Sequence, residues 1–222
     1  MIARRLVAAL LVLGAAGAAS FGWQEMRRAD AAAGDLPGVV DVGFAQSMRA
    51  HHEQAVLMAQ ILLDRGGSRL VALARQIQHA QLIEIGEMKG WLLLWNRPLL
   101  PATKSMDWML AGRAPPDAGL RRYLTDCKSA PGGMPGLASS AELNQLRTLE
   151  GEARDRLFLQ LMVRHHQGAL PMAHFAARNA QLQAVRSMAA EIEMQQAQEL
   201  AAMSLLLGRV DERGRSGKTS GP

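Results

Sequence analysis

Histidine and methionine side chains recur in this chain in one pattern that is written twice, in residues 41–59 and again in residues 155–173. Four of the six histidines and four of the thirteen methionines lie in these two copies. Imidazole and thioether groups together suit soft transition metals, above all copper(I). Eight of the positions that keep the same residue are Asp41 and Asp155, Phe44 and Phe158, Met48 and Met162, His51 and His165, His52 and His166, Ala55 and Ala169, Met58 and Met172, and Ala59 and Ala173.

Helical periodicity places one histidine of each copy well inside an apolar stripe. At about 100° per residue, His51 lies within the stripe and His52 lies near its edge. The second copy repeats this arrangement with His165 and His166. The same phasing turns three other candidate donors outward, so they are left out of the predicted site: His79, His174 and Met194.

A second periodic segment follows each copy and carries a glutamate and a methionine in its apolar stripe. Glu84 and Glu199 are costly to bury unless they are paired. A histidine N–H on the facing helix would pair with each carboxylate and orient the other ring nitrogen toward a metal. The predicted metal ligands are Met48, His51, His52, Met58, Met162, His165, His166, Met172, Met88 and Met203, supported by Glu84 and Glu199.

The repeated segments predict an all-α fold, a ferritin-like four-helix bundle made of two helical hairpins and a long crossover linker. Gly66 and Gly67 are expected to end the first helix, and Ser68 to cap the next. Ser139 to Glu142 resembles a capping box, and Gly151 should interrupt the helix that follows it. The predicted regions are a bundle over 40–208, with halves 40–96 and 139–208 around linker 97–138, and a disordered tail over 209–222.

The N-terminus pairs Arg4 and Arg5 with an apolar run from Leu6 to Ala19, a pattern typical of a secretory signal peptide. The run extends to Trp23, which is also long enough for an uncleaved membrane anchor. Residues 1–22 therefore predict export, to the periplasm, to the medium or to the outer face of the cytoplasmic membrane. Membrane contact is expected only if this segment stays uncleaved.

The composition and the missing motifs argue against several other functions. The chain has no Lys/Arg run interleaved with aromatic residues, so nucleic-acid binding is not expected. It has no H-E-x-x-H, no G-x-S-x-G and no Gly-rich phosphate loop, and it lacks the Glu-x-x-His pairs of di-iron bundles. The prediction is a non-enzymatic protein. Cys127 is the one cysteine and receives no role.

These motifs resemble the exported bacterial family of domain of unknown function 305 (DUF305), which includes CopM-like copper-binding proteins. The resemblance covers roughly residues 40–208 and rests on the doubled F-x-x-x-M-x-x-H-H motif and the segment from Gln81 to Leu92. A linker of the family's type appears over residues 133–136. The resemblance implies a ferritin-like bundle that binds or sequesters copper outside the cytoplasm. Silver and zinc remain alternative metals, and a copper chaperone or exporter is the implied partner.

Two points are left open by the sequence. Pro171 lies inside the second motif and predicts a kink, with Gly168 giving the chain room to bend, so the second site could be the weaker one. A metal-free bundle with a structural or interaction role in the cell envelope is the alternative function, because methionine and histidine also fill ordinary helical cores.

Overall fold

A computed structural model describes residues 36–216 of the chain, so the predicted export segment lies outside the described residues. Within that part there are six α-helices and no strand, and no helix is both long and apolar enough to cross a bilayer. The helices are α1 (Val39–Asp64), α2 (Val71–Leu94), α3 (Ala118–Ser129), α4 (Ser140–Thr148), α5 (Gly151–Asn179) and α6 (Gln183–Ser216).

The helices form two hairpins, because α1 packs along α2 and α5 packs along α6. The two hairpins meet where α1 packs against α5. This confirms an all-α chain with paired helices. The residues Gly66 and Gly67 have positive φ angles of 64° and 70° between α1 and α2, as the glycine signal predicted.

Ser68 does not serve as the N-cap residue of α2, which is Leu70. The Ser68 hydroxyl oxygen instead accepts a hydrogen bond from the Leu70 N–H at 2.9 Å and donates one to Asp155 at 2.7 Å. The serine thus stabilises the turn before α2, and its hydroxyl joins that turn to the other hairpin.

Each motif begins with an aspartate that holds the loop of the opposite hairpin. The Asp41 carboxylate accepts backbone N–H groups from Gly38, Gln181 and Leu182 at 2.9, 3.0 and 2.9 Å. Asp155 accepts the Ser68 hydroxyl and the Arg69 N–H at 2.7 and 3.2 Å. Because the start of each motif helix lies beside the end of the other, α1 and α5 run antiparallel.

The linker over 97–138 contains regular secondary structure. It contains α3 and two 3-10 helices over Asp107–Leu110 and Pro131–Gly133. The indole N–H of Trp108 donates to the Ser47 hydroxyl at 3.1 Å, and a Cβ on Gly43 would clash with that ring. The linker is therefore packed onto the motif helices.

The entry into the second half follows the sequence signals. Ser139 and Glu142 form the capping box of α4, and α4 ends before α5 begins at Gly151, which has a φ of 55°. The prediction of a disordered tail over 209–222 is wrong for residues 209–216, because α6 continues to Ser216, and residues 217–222 lie outside the described residues. A single Gly214 within a charged run weakens a helix without necessarily ending it.

Pro171 lies inside α5, which runs from Gly151 to Asn179, so the proline does not end the helix, and the kink stays a prediction. Met172 is fully buried, as is its counterpart Met58. Gly168 has a different use from the one expected: a Cβ there would lie 1.9 Å from the Pro135 carbonyl oxygen. The glycine makes room for the linker.

Candidate metal centre

The four motif histidines form a buried core where α1 crosses α5, and each has no solvent exposure. The rings of His51 and His165 have centroids 3.8 Å apart with planes inclined at 41°. The His165 Nε2 lies 3.0 Å from the His51 carbonyl oxygen. His52 was expected near the edge of its stripe, but α2 covers it and makes it as buried as His51.

A carboxylate faces each of the other two histidines, as the periodicity predicted. His166 Nε2 is hydrogen-bonded to Glu199 Oε2 at 2.7 Å. His52 Nε2 lies 2.8 Å from Glu84 Oε2, in ion-pair contact but without a hydrogen bond of good geometry. In both cases Nε2 faces the carboxylate, and the ring's Nδ1 has no hydrogen-bond partner.

The central pair is held in the neutral form. Burial, and next the neighbouring His52, lower the pKa of His51 from 6.5 to about 3. Burial, and next His51, hold the pKa of His165 well below its usual range. A neutral imidazole keeps a lone pair available for a metal. Neither ring nitrogen of His51 makes a hydrogen bond, and Nδ1 of His165 also lacks one.

The predicted methionine ligands are all fully buried, and they divide into two groups on either side of the histidine core. We name these groups by their first member: the Met48 cluster comprises Met48, Met88 and Met172, and the Met58 cluster comprises Met58, Met162 and Met203. Each group takes one methionine from each motif helix and one from α2 or α6. The repeat relates the two groups by a pseudo-two-fold axis.

One motif alone therefore does not make one site. Met48 and Met58 are ten positions apart on α1, which corresponds to about 15 Å along a helix. A single ion cannot contact both side chains. The structure thus brings the donors together across the two motifs, with His51 and His165 between the two clusters.

Within residues 36–216, no three His, Cys, Asp or Glu side chains converge in a geometry that could hold a metal. Thioether ligands would have to complete any site built on these histidines. The residues predicted to face outward do so: His79, His174 and Met194 are exposed.

Sequence reasoning missed two features around the histidines. The repeat of Asp41 and Asp155 was visible, and its symmetry could have indicated that each aspartate binds the other hairpin. The approach of the linker to α5 was not visible, because it depends on Gly136 and Gly168 packing against each other. Gly136 has a φ of 89° and lies against the Arg164 carbonyl oxygen.

The tertiary structure is similar to several solved structures. CopM in its Cu(I)-bound form is 26% identical, and the match covers 76% of this chain and 96% of CopM with a TM-score of 0.54. CopM structures with Cu(II) and with silver are each 25% identical to this chain. No curated protein matches the chain significantly.

Two further structures are more similar in sequence. A candidate secreted DUF305 protein from Streptomyces coelicolor is 32% identical, covering 78% of this chain and 94% of that chain, with a TM-score of 0.65. A DUF305 fragment from Deinococcus radiodurans is 31% identical, covering 78% and 99%, with a TM-score of 0.60. The family model described as domain of unknown function (DUF305) matches residues 41–207. The chain therefore belongs to the DUF305 family.

Proposed function

We propose that this protein binds copper, as Cu(I), and sequesters it or passes it on outside the cytoplasm without catalysing a reaction. The observation that carries the proposal is a core of four buried histidines, with unpartnered ring nitrogens, between two methionine clusters. Thioether and neutral imidazole groups are the donors that favour Cu(I), whereas zinc sites rarely use thioether. Silver shares this preference for soft ligands.

The pseudo-two-fold axis suggests two sites of similar chemistry. One would use the Met48 cluster and the other the Met58 cluster, each with imidazoles from the shared core. Glu84 and Glu199 would hold His52 and His166 so that Nδ1 of each ring faces the ion. The ligand set is thus the one predicted from the sequence, regrouped across the motifs.

The remaining parts of the proposal follow from the family. The two hairpins would form a ferritin-like four-helix bundle, and residues 1–22 would direct export or provide an anchor. A copper chaperone or exporter would supply or receive the ion. CopM, which has been solved with Cu(I), Cu(II) and silver, is the similar structure that supports this choice of metal.

The proposal is tested by titrating purified protein with Cu(I) against a competing chelator. A variant with His51, His52, His165 and His166 changed to alanine should lose the tight binding. The matched control changes the exposed His79 and His174 to alanine and should bind like the parent. Because the fourfold change opens cavities in the core, Met48→Leu with Met162→Leu provides a test that keeps the core filled. Equal Cu(I) affinity in all four proteins would contradict the proposal.

A metal-free structural bundle is the second candidate, and specific contacts favour it. His165 contacts the His51 carbonyl and His166 is bonded to Glu199, as satisfied histidines in an ordinary core would be. In that case, protein purified from copper-supplemented cells carries no copper. The histidine changes would then lower the melting temperature and leave the weak residual copper binding unchanged.

A further inference from the structure

One short piece of the linker, residues 133–138, lies across both motif helices beside the histidine pair. The Pro135 carbonyl oxygen lies beside Gly168 of α5, two residues after His166. The next residue, Gly136, lies against the carbonyl of Arg164, which directly precedes His165. The segment therefore packs next to the histidines of α5, although it belongs to neither repeat.

Two positions that correspond in the repeat, Gln54 and Gly168, hold this segment in different ways. The Gln54 side chain donates to the Ala138 carbonyl at 3.0 Å and accepts the Ala138 N–H at 2.6 Å. Gly168 leaves the space that the Pro135 carbonyl occupies. The two repeats differ at this pair because the single linker contacts both helices. On α1 the Gln54 side chain binds the linker by hydrogen bonds, and on α5 the absence of a side chain at Gly168 lets the linker backbone approach.

The same segment carries Met134, a methionine outside both motifs. Its side chain is 8% exposed and belongs to a larger buried cluster, which holds Met48, Met88 and Met172 together with Met106, Met109 and Met188. Among the described residues, the opposite cluster contains Met58, Met162 and Met203 and no linker methionine. A crossover linker occurs once in the fold, so it can add a donor to only one of the two related clusters.

On the basis of the proposed copper binding, we propose that Met134 is an additional thioether ligand of the site at the Met48 cluster, held in place by Gln54 and Gly168. A fourth soft donor favours Cu(I) at this site over its pseudo-symmetric counterpart. The two sites then differ in affinity, and the linker causes the difference rather than Pro171.

The first experiment compares Met134→Leu with Met109→Leu in the complete chain by Cu(I) competition titration. Met109 is 1% exposed and lies in the same buried cluster, but it belongs to the 3-10 helix over Asp107–Leu110 and not to the segment over 133–138. The parent should show a tighter and a weaker binding event. Met134→Leu should weaken the tighter event by at least about tenfold, as loss of support at a metal site does. Met109→Leu should leave both events within about twofold of the parent.

The second experiment moves the segment without removing the thioether. Gly168→Ala places a Cβ 1.9 Å from the Pro135 carbonyl oxygen, whereas Gly86→Ala on α2 meets nothing within 4 Å. Gly168→Ala should weaken the tighter event, and Gly86→Ala should not. X-ray absorption on protein loaded with one equivalent of Cu(I) should show one fewer sulfur neighbour in Met134→Leu than in the parent.

Two results overturn the inference and are distinguishable. If the parent binds Cu(I) tightly and Met134→Leu matches Met109→Leu in affinity and in sulfur count, Met134 is not a ligand and the proposed function stands. If the parent binds no better than the variant lacking all four motif histidines, the proposed function fails and the inference fails with it.

Discussion

At the residue scale, the chemistry of this core depends on which nitrogen of each imidazole is already engaged. Glu84 and Glu199 approach Nε2 of His52 and His166, which leaves Nδ1 of each ring without a partner. A carboxylate on one ring nitrogen fixes the ring orientation and raises the basicity of the other nitrogen. The periodicity of α2 and α6 predicted that each glutamate faces a motif histidine, and the structure shows that the partners are His52 and His166.

The changes Glu84→Gln and Glu199→Gln should each reduce Cu(I) affinity by about 10–100-fold, because an amide is a weaker acceptor than a carboxylate. The loss should be larger for Glu199, whose side chain is 5% exposed against 16% for Glu84. The measurement is the same chelator competition, with the exposed Glu87→Gln as control. Parent-like affinity in both variants would show that the carboxylates only stabilise the fold.

At the scale of helices and loops, the two aspartates at the motif starts tie the hairpins together. Each carboxylate lies at the start of one motif helix and binds the loop that follows the other motif helix. The repeat of aspartate in the motif thus corresponds to a contact between the two halves of the fold.

Replacing either aspartate by asparagine should lower the free energy of unfolding, since one acceptor oxygen is lost. Hydrogen bonds to charged groups contribute about 1.5–3 kcal/mol each, so we expect a loss in that range. Asp41→Asn should be the more destabilising, because Asp41 accepts three backbone N–H groups. Chemical denaturation would measure the effect, with the exposed Asp64→Asn as control. Equal stability of Asp41→Asn and Asp64→Asn would contradict the conclusion that Asp41 holds the two hairpins together.

The proline in α5 is the second feature at this scale. A proline in a helix interior costs about 3 kcal/mol relative to alanine through its missing N–H and its ring. Pro171→Ala should therefore raise the melting temperature. It should leave the two Cu(I) binding events unchanged, since Met172 is already as buried as Met58. A shift in the weaker event alone would show instead that the proline shapes the second site.

At the scale of the whole molecule, neither hairpin contains a complete core. His51 packs against His165, and each methionine cluster draws on both hairpins. A separate hairpin would expose the apolar stripe of its motif helix to water, which opposes folding.

The isolated first hairpin, residues 37–96, should therefore not fold as a monomer. Circular dichroism should show little helix at low concentration and no cooperative melting, whereas the chain over 37–216 should melt cooperatively. Sedimentation should show either an unfolded monomer or a self-associated form that restores the pairing of two motif helices. A monomeric hairpin with a sharp melting transition would contradict this account of the core.

The sequence by itself determined the repeat, the helices, the hairpin turn at Gly66 and Gly67, and the capping box at Ser139. These follow from periodicity, glycine and capping chemistry, all of which act within a few residues. Helical phase also predicted that His51 and His165 are buried and that Glu84 and Glu199 face the core, whereas the full burial of His52 and His166 depends on the helices that cover them.

Only the tertiary structure decided which donors lie together. The grouping of Met48 with Met172 and of Met58 with Met162 depends on the antiparallel crossing of α1 and α5. The sequence predicts an asymmetry at Pro171, whereas the contact between Gly168 and the linker, on which the proposed asymmetry rests, is visible only in the fold. The physical reason is that close packing between segments far apart in the chain depends on their relative placement, and helical phase within one segment carries no information about it.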